Sequence, residues 1–189
     1  MNLRGYIKQF LLDRFPLLSR KYFFKEQILI HGSFSNWQDA ANHSFGYDNE
    51  KVIIYTLNKL SKYFEKGRYG YEKDGLLFEE KLKDEKFLNS LLIASRKNER
   101  LAVFDFGGGF GSLYFNNIDY LPRFAKKNWH ILELNSLVKK AREIDGLNRI
   151  HFTSSQDDFV KKLPGNFLIL SSVLQYLKNP YDIFEELIK

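Results

Sequence analysis

The sequence predicts an α/β fold with a parallel sheet in its second half, and three observations carry that expectation. Short apolar runs recur beyond residue 100, at LAVFDF (101–106), WHILEL (129–134), RIHFT (149–153) and NFLILS (166–171). Stretches of helical character separate them, and buried strands alternating with crossover helices make a parallel sheet. A glycine-rich turn, DFGGGFG, stands where the first run ends. In open parallel sheets ligands bind beyond the carboxyl ends of the strands, at the switch point of the strand order, so function is sought just after each run.

The elements before residue 100 read as helical. Leu3, Ile7, Phe10, Leu11 and Phe15 form an apolar stripe that stops at Pro16. A second helix is expected after Asp48, in DNEKVIIYTLNKLSKYFEKG, with Val52, Tyr55, Leu57, Leu60 and Phe64 inward and Gly67 ending it. A third is expected in LLFEEKLKDEKFLNSLLIAS, 76–95. The period then changes around SRKNER (95–100), which divides a helical N-terminal region, 1–98, from a sheet-forming domain, 99–189. Near the C-terminus NPY reads as a helix start, with Asn179 as cap and Pro180 at the first helical position.

Composition narrows the chemistry. A chain of 189 residues that is 44% hydrophobic and 28% charged can bury a sizeable core and resembles neither a disordered nor a fibrous protein. The absence of cysteine excludes disulfides, thiolate zinc sites, a cysteine nucleophile and cysteine-held iron–sulfur clusters. The net charge of +6 is concentrated in the first hundred residues, which carry 18 Lys/Arg against 13 Asp/Glu; the remainder carries 11 against 10. This favours anionic partners or is simply a solvated basic surface, with the doublets Lys126-Lys127, Lys139-Lys140 and Lys161-Lys162 coating helix faces. No apolar run approaches the length of a membrane-spanning helix, and Lys8, Asp13 and Arg14 interrupt any signal-like core, so the expected location is the cytoplasm.

The candidate site begins at Asp105, followed by Gly107, Gly108, Gly109 and Gly111. Glycine adopts positive φ without steric cost and lets backbone N–H groups approach a ligand, and a helix is expected to follow. Glu133 closes the next run, where an acidic side chain accepts hydrogen bonds from both hydroxyls of a ribose. Asp157 and Asp158 follow the third run and are suited to accept from an adenine amino group; the alternative is that one of them caps the helix DDFVKKL. The spacing of the glycines matches G-x-G-x-G with an acid two residues before it, whereas the dinucleotide pattern would need a small third residue at Ser112. Asp105 beside the loop also disfavours a pyrophosphate, which points to S-adenosylmethionine.

These residues resemble class I S-adenosylmethionine-dependent methyltransferases, with DFGGGFG similar to their first motif and Glu133 to their ribose-binding acid. NFLILSSVLQYLKNP is similar to their fourth strand and the turn beyond it. More narrowly, NWQDA (36–40), FGYD (45–48), the glycine motif with Tyr114, and SSVLQYL (171–177) resemble a family of methyltransferase-like proteins often associated with bacterial surface-polysaccharide gene clusters. The resemblance spans about 34–184. It implies a Rossmann-like sheet, here apparently truncated after its fourth strand where the family has seven. Strand four is then expected to present an unpaired edge open to self-association.

The resemblance also implies that residues after strand four line the reacting space, namely Ser171, Ser172, Gln175 and Tyr176. The alternative is that the serines finish the strand and Tyr176 packs. His43 lies in a segment, Trp37 to Asp48, that could supply a base if it folds over the site; Trp37, Tyr47 and Asp48 could cover the donor or hold the acceptor, and Trp37 with Ala40 is equally explained as core. The four histidines show no ligand spacing, and no metal site is expected.

The leading expectation is therefore a methyltransferase acting on a small-molecule or glycan acceptor. The alternatives are a non-catalytic nucleoside-binding or interaction module, and a dinucleotide-dependent sugar oxidoreductase. RNA modification would suit the charge, but no aromatic-and-basic stacking pattern supports a nucleic-acid surface.

Overall fold

The computed structural model describes residues 32–44, 53–54, 57–58, 71–73, 76–78, 84–96 and 100–188. By its contacts the chain divides into two compact units, Met1–His43 and Ser44–Lys189. The boundary expected between 98 and 99 does not coincide with that division. Leu88 and Leu91, from the helix before residue 98, belong to the same buried cluster as Val103, Trp129 and Ile131 of the sheet, so the helix is part of the sheet's own core.

In the first unit, helix α1 (Trp37–Asn42) is capped by Asn36, whose side-chain oxygen accepts from the Asp39 N–H at 3.0 Å while its amide donates back to Asp39 Oδ2 at 3.2 Å. The helix buries none of its residues and Trp37 is 41% exposed, which removes the reading of Trp37 and Ala40 as core. The helix expected up to Pro16 and the FGYD segment lie outside the described residues.

In the second unit residues 53–54 and 57–58 are helical, and Ile53 and Leu57 are buried one turn apart; Leu57 is an expected inward position, Ile53 is not, and the rest of that helix lies outside the described residues. The third expected helix is only partly right. Strands β1 (Tyr71–Lys73) and β2 (Leu76–Phe78) pair antiparallel, with Lys73 opposite Leu76, and helix α2 starts only at Glu85 and runs to Ser95. Asp84 begins α2 by accepting from the Phe87 N–H at 3.0 Å, and its own N–H donates to the buried Asn117 at 2.9 Å.

The four later strands are β3 (Val103–Phe106), β4 (Trp129–Leu132), β5 (His151–Thr153) and β6 (Phe167–Ile169). They are shorter than the apolar runs that announced them, and all pair parallel in the order β5-β4-β3-β6. This is a mixed α/β architecture with an all-parallel sheet, compatible with a Rossmann-like fold. Among the described residues, β6 pairs with β3 on one side and with no strand on the other.

Strand alternation divides the core in two. Val103, Trp129 and Ile131 join Leu91, Tyr114, Ala125, Leu137 and Ala141 in one buried cluster, together with α2, α3 (Ser112–Asn117), α4 (Arg123–Lys127) and α5 (Asn135–Ala141). Phe104, Phe106 and Leu132 join Phe159, Leu163 and Leu187 in the other, with α6 (Gln156–Lys162) and α7 (Pro180–Leu187). Right-handed crossovers explain the division: β3 to β4 to β5 advances one way across the sheet, and the return from β5 to β6 reverses it and places α6 with the opposite cluster. Pro180 opens α7 as expected, with Asn179 at the cap position but making no side-chain cap bond.

Candidate functional site

The reversal of strand order falls between β3 and β6, so the turns after these two strands meet. Gly107, immediately after β3, has φ 73°, and a Cβ built on it would stand 2.5 Å from Val173 Cγ2 in the turn after β6. Both the backbone conformation and the close approach require glycine there. On the other side, the Gly107 N–H donates to the Leu132 carbonyl at 2.9 Å and the Glu133 N–H to the Thr153 carbonyl at 3.0 Å, extending the sheet's bonding past the strand ends.

Asp105 occupies a β3 position whose side chain follows Val103 to the first face, and it is 2% exposed. A Cβ on Gly108 would stand 2.5 Å from Asp105 Oδ2, so the glycine loop lies directly on this carboxyl. Among the described residues Oδ2 has no hydrogen-bond partner. Burial, and secondarily the charge of Glu133, raise the Asp105 pKa from 3.8 to about 7. The Trp129 indole offsets part of that rise, although its N–H falls short of hydrogen-bond geometry.

Glu133 lies one residue past β4, not within it, and is half-buried. Its Oε1 accepts from the Gly109 N–H at 3.0 Å and its Oε2 from the Leu134 N–H at 2.9 Å. Burial raises its pKa, and these two N–H bonds restrain the rise. Above Gly109 no described residue comes within 4 Å of a built Cβ, so that side is open among the described residues. The loop therefore has a closed underside on Asp105 and an open side at Gly109, with the Glu133 carboxylate anchored to it. Helix α3 begins at Ser112 after Gly111, but with six residues it is too short for its N-terminus to count as an anion site.

The other sequence-derived candidates fall at several places. Asp157 and Asp158 lie after β5 in the first turn of α6, both exposed. Neither caps that helix. Ser155 does, accepting from the Asp158 N–H at 3.2 Å, because the helix starts one residue earlier than the DDFVKKL reading supposed. Ser171 and Ser172 do not finish a strand, since β6 stops at Ile169; both are exposed in the turn that carries Val173. Gln175 and Tyr176 follow in a short 3-10 helix, Leu174–Tyr176, and Tyr176 is 52% exposed, against the reading that it packs. His43 belongs to the first unit, where its ring nitrogen lies 2.8 Å from the Asp39 carbonyl and its ring 5.3 Å from that of Phe34.

Sequence reasoning missed two features of this site. Ser172 has φ 55°, a left-handed conformation that costs a non-glycine residue energy and is often retained at functional turns. Val173, which fits against Gly107, lies within SSVLQYL but is not singled out there, since only the strand order brings it to the glycine loop. His130 and His151, placed correctly in strands, stack at 4.8 Å, and Phe104 stacks on His130 at 4.6 Å. Among the described residues no group of three or more His, Cys, Asp or Glu is arranged to hold a metal ion, and no helix is long and apolar enough to cross a membrane. No protein-family model, curated protein or solved structure matches the chain.

Proposed function

We propose that this chain binds S-adenosylmethionine at the carboxyl ends of β3 and β4 and belongs to a methyltransferase acting on a small-molecule or glycan acceptor. The observation that carries the reading is the Glu133 carboxylate, held through both oxygens by the Gly109 and Leu134 N–H groups beside an open glycine loop. Each carboxylate oxygen keeps acceptor capacity after one such bond, so a pre-oriented pair of acceptors stands ready for a ribose diol. Asp105 beneath the loop adds a second acid and an unpartnered buried oxygen. Two acids at a glycine loop favour a cationic ligand and oppose a pyrophosphate, so this donor set fits the sulfonium nucleoside better than a dinucleotide.

The bound donor would supply an already activated methyl group. The residues of this chain would hold it, exclude water and bring an acceptor in line, an effect that can be worth roughly 7 to 11 kcal/mol. Ser171, Ser172, Gln175 and Tyr176, beyond β6, are the side chains we assign to the acceptor side, and Asp157 and Asp158, beyond β5, to the adenine side. A non-catalytic nucleoside-binding module is the second reading, favoured by the neutral character of the turn after β6, in which no residue from Ser171 to Leu177 is an acid, a histidine or a lysine.

Calorimetric titration of the purified chain with S-adenosylhomocysteine, alongside NAD and with Glu133→Ala as control, tests the donor reading. Binding of the former alone, lost in the variant, is the expected result; NAD binding, or no binding to folded protein, refutes it.

A further inference from the structure

The Asp105 carboxyl is a second titratable group at this site, and the donor reading uses it as an acid beside the loop without assigning its protonation state. It sits under Gly108 with Oδ2 unpartnered, separated from the open side at Gly109 by only the backbone of the loop. The groups around it are mostly apolar. β6 and β4 contribute Ile169 and Ile131 at the paired positions, and α3 contributes Tyr114, which packs its ring on Trp129 at 5.3 Å and donates its hydroxyl to the Lys126 carbonyl at 3.0 Å. β4 contributes the Trp129 indole and, just past its end, Glu133, the charged group that acts on Asp105.

We propose that Asp105 holds a proton in the free protein and releases it when a positively charged donor binds across the glycine loop, so that binding is coupled to proton release. The inference rests on the donor reading above. In the free protein the neutral acid avoids placing a second unpaired carboxylate beside Glu133 in a buried setting. A sulfonium or ammonium on the outer side of the loop supplies the missing opposite charge through a medium of low dielectric. The carboxylic O–H bond then breaks, its electron pair stays on the carboxylate, and the proton passes to the buffer. An anionic pyrophosphate would act in the opposite sense, so the same residue discriminates between nucleotide ligands by charge.

Isothermal titration of S-adenosylmethionine into the full chain, in phosphate and in Tris at pH 7, reads the proton count from the difference in apparent enthalpy. The expected result is release of a fraction of a proton per donor bound at pH 7, and of a larger fraction at pH 6. Asp105→Asn, which mimics the neutral acid in shape, should bind more weakly than wild type at neutral pH, with a flat pH profile, and release none. A wild-type affinity that strengthens up to about tenfold per unit between pH 5.5 and 7 and levels off above 8 gives the same answer without the variant. Binding with no proton release, release that persists in Asp105→Asn, or a flat pH profile overturns the assignment while leaving the donor reading intact. No binding of S-adenosylmethionine to folded protein overturns both.

Discussion

The backbone N–H of Gly109 donates to Glu133 Oε1 at 3.0 Å, and so ties the turn after β3 to the first residue past β4. One side chain thus fixes the shape of a loop on the neighbouring strand. Glu133→Ala frees two backbone donors at once, the Gly109 and Leu134 N–H groups. The expected cost in folding stability is about 1 to 3 kcal/mol, seen as a lower urea midpoint, together with loss of nucleoside binding. Glu133→Gln, which keeps one acceptor, should fall between the two; equal stability of all three proteins would show that the bonds do not hold the loop.

Gly107 and Val173 form a second coupled pair. Gly107→Ala imposes both a left-handed Cβ and a clash with Val173 Cγ2, and should destabilise by roughly 2 to 4 kcal/mol. In the Val173→Ala background the same change should cost less, and a double-mutant cycle measures the difference. Strict additivity would mean that the two turns do not press on each other.

Ser172 carries strain that a glycine would relieve. Ser172→Gly is expected to raise stability by up to about 1 kcal/mol, less the extra entropy glycine loses on folding. Chemical denaturation at neutral pH decides it, and a destabilised variant would show that the hydroxyl contributes more than the conformation costs.

Asp105 and His130 give opposite pH dependences. The folded-state pKa of Asp105, about 7, lies above its ordinary 3.8, so its contribution is full below pH 3.8 and is lost as pH rises through 7. The loss amounts to about 4 kcal/mol at 1.36 kcal/mol per unit. Asp105→Asn should therefore stabilise the protein at pH 8 far more than at pH 4. His130 is held down to about 4, by burial first and then by His151 and Lys162, so its contribution is present above pH 6.5 and is lost as pH falls through 4. His130→Phe, which keeps the stacking with Phe104, should blunt the acid limb of the melting-temperature profile and leave the alkaline limb unchanged. Coincident profiles for wild type and both variants would refute these assignments.

Much of the candidate site was legible because its requirements are local. Four glycines in DFGGGFG mark a turn that needs positive φ, and Glu133 is recognisable because it closes an apolar run of strand length. Elsewhere local signals competed. LLFEEKLKDEKF has helical spacing, yet Leu76–Phe78 pairs with Tyr71–Lys73. Asp74 and Gly75 between them are a two-residue hairpin signal that the helical period obscured. Asp157 and Asp158 are the expected cap candidates, but the helix starts at Gln156, which puts Ser155 at the cap and both acids in the first turn.

By itself the sequence determined the alternation of strands and helices, the glycine turn after β3 and the acid after β4, because period, turn chemistry and capping act over a few residues. Only the tertiary structure decided that β6 lies beside β3, which sets Val173 against Gly107, and that the glycine loop closes over Asp105, which leaves that acid buried with an unpartnered oxygen. Strand order is a long-range choice made by crossover handedness and by which apolar faces can be covered together, and no short stretch of sequence encodes it.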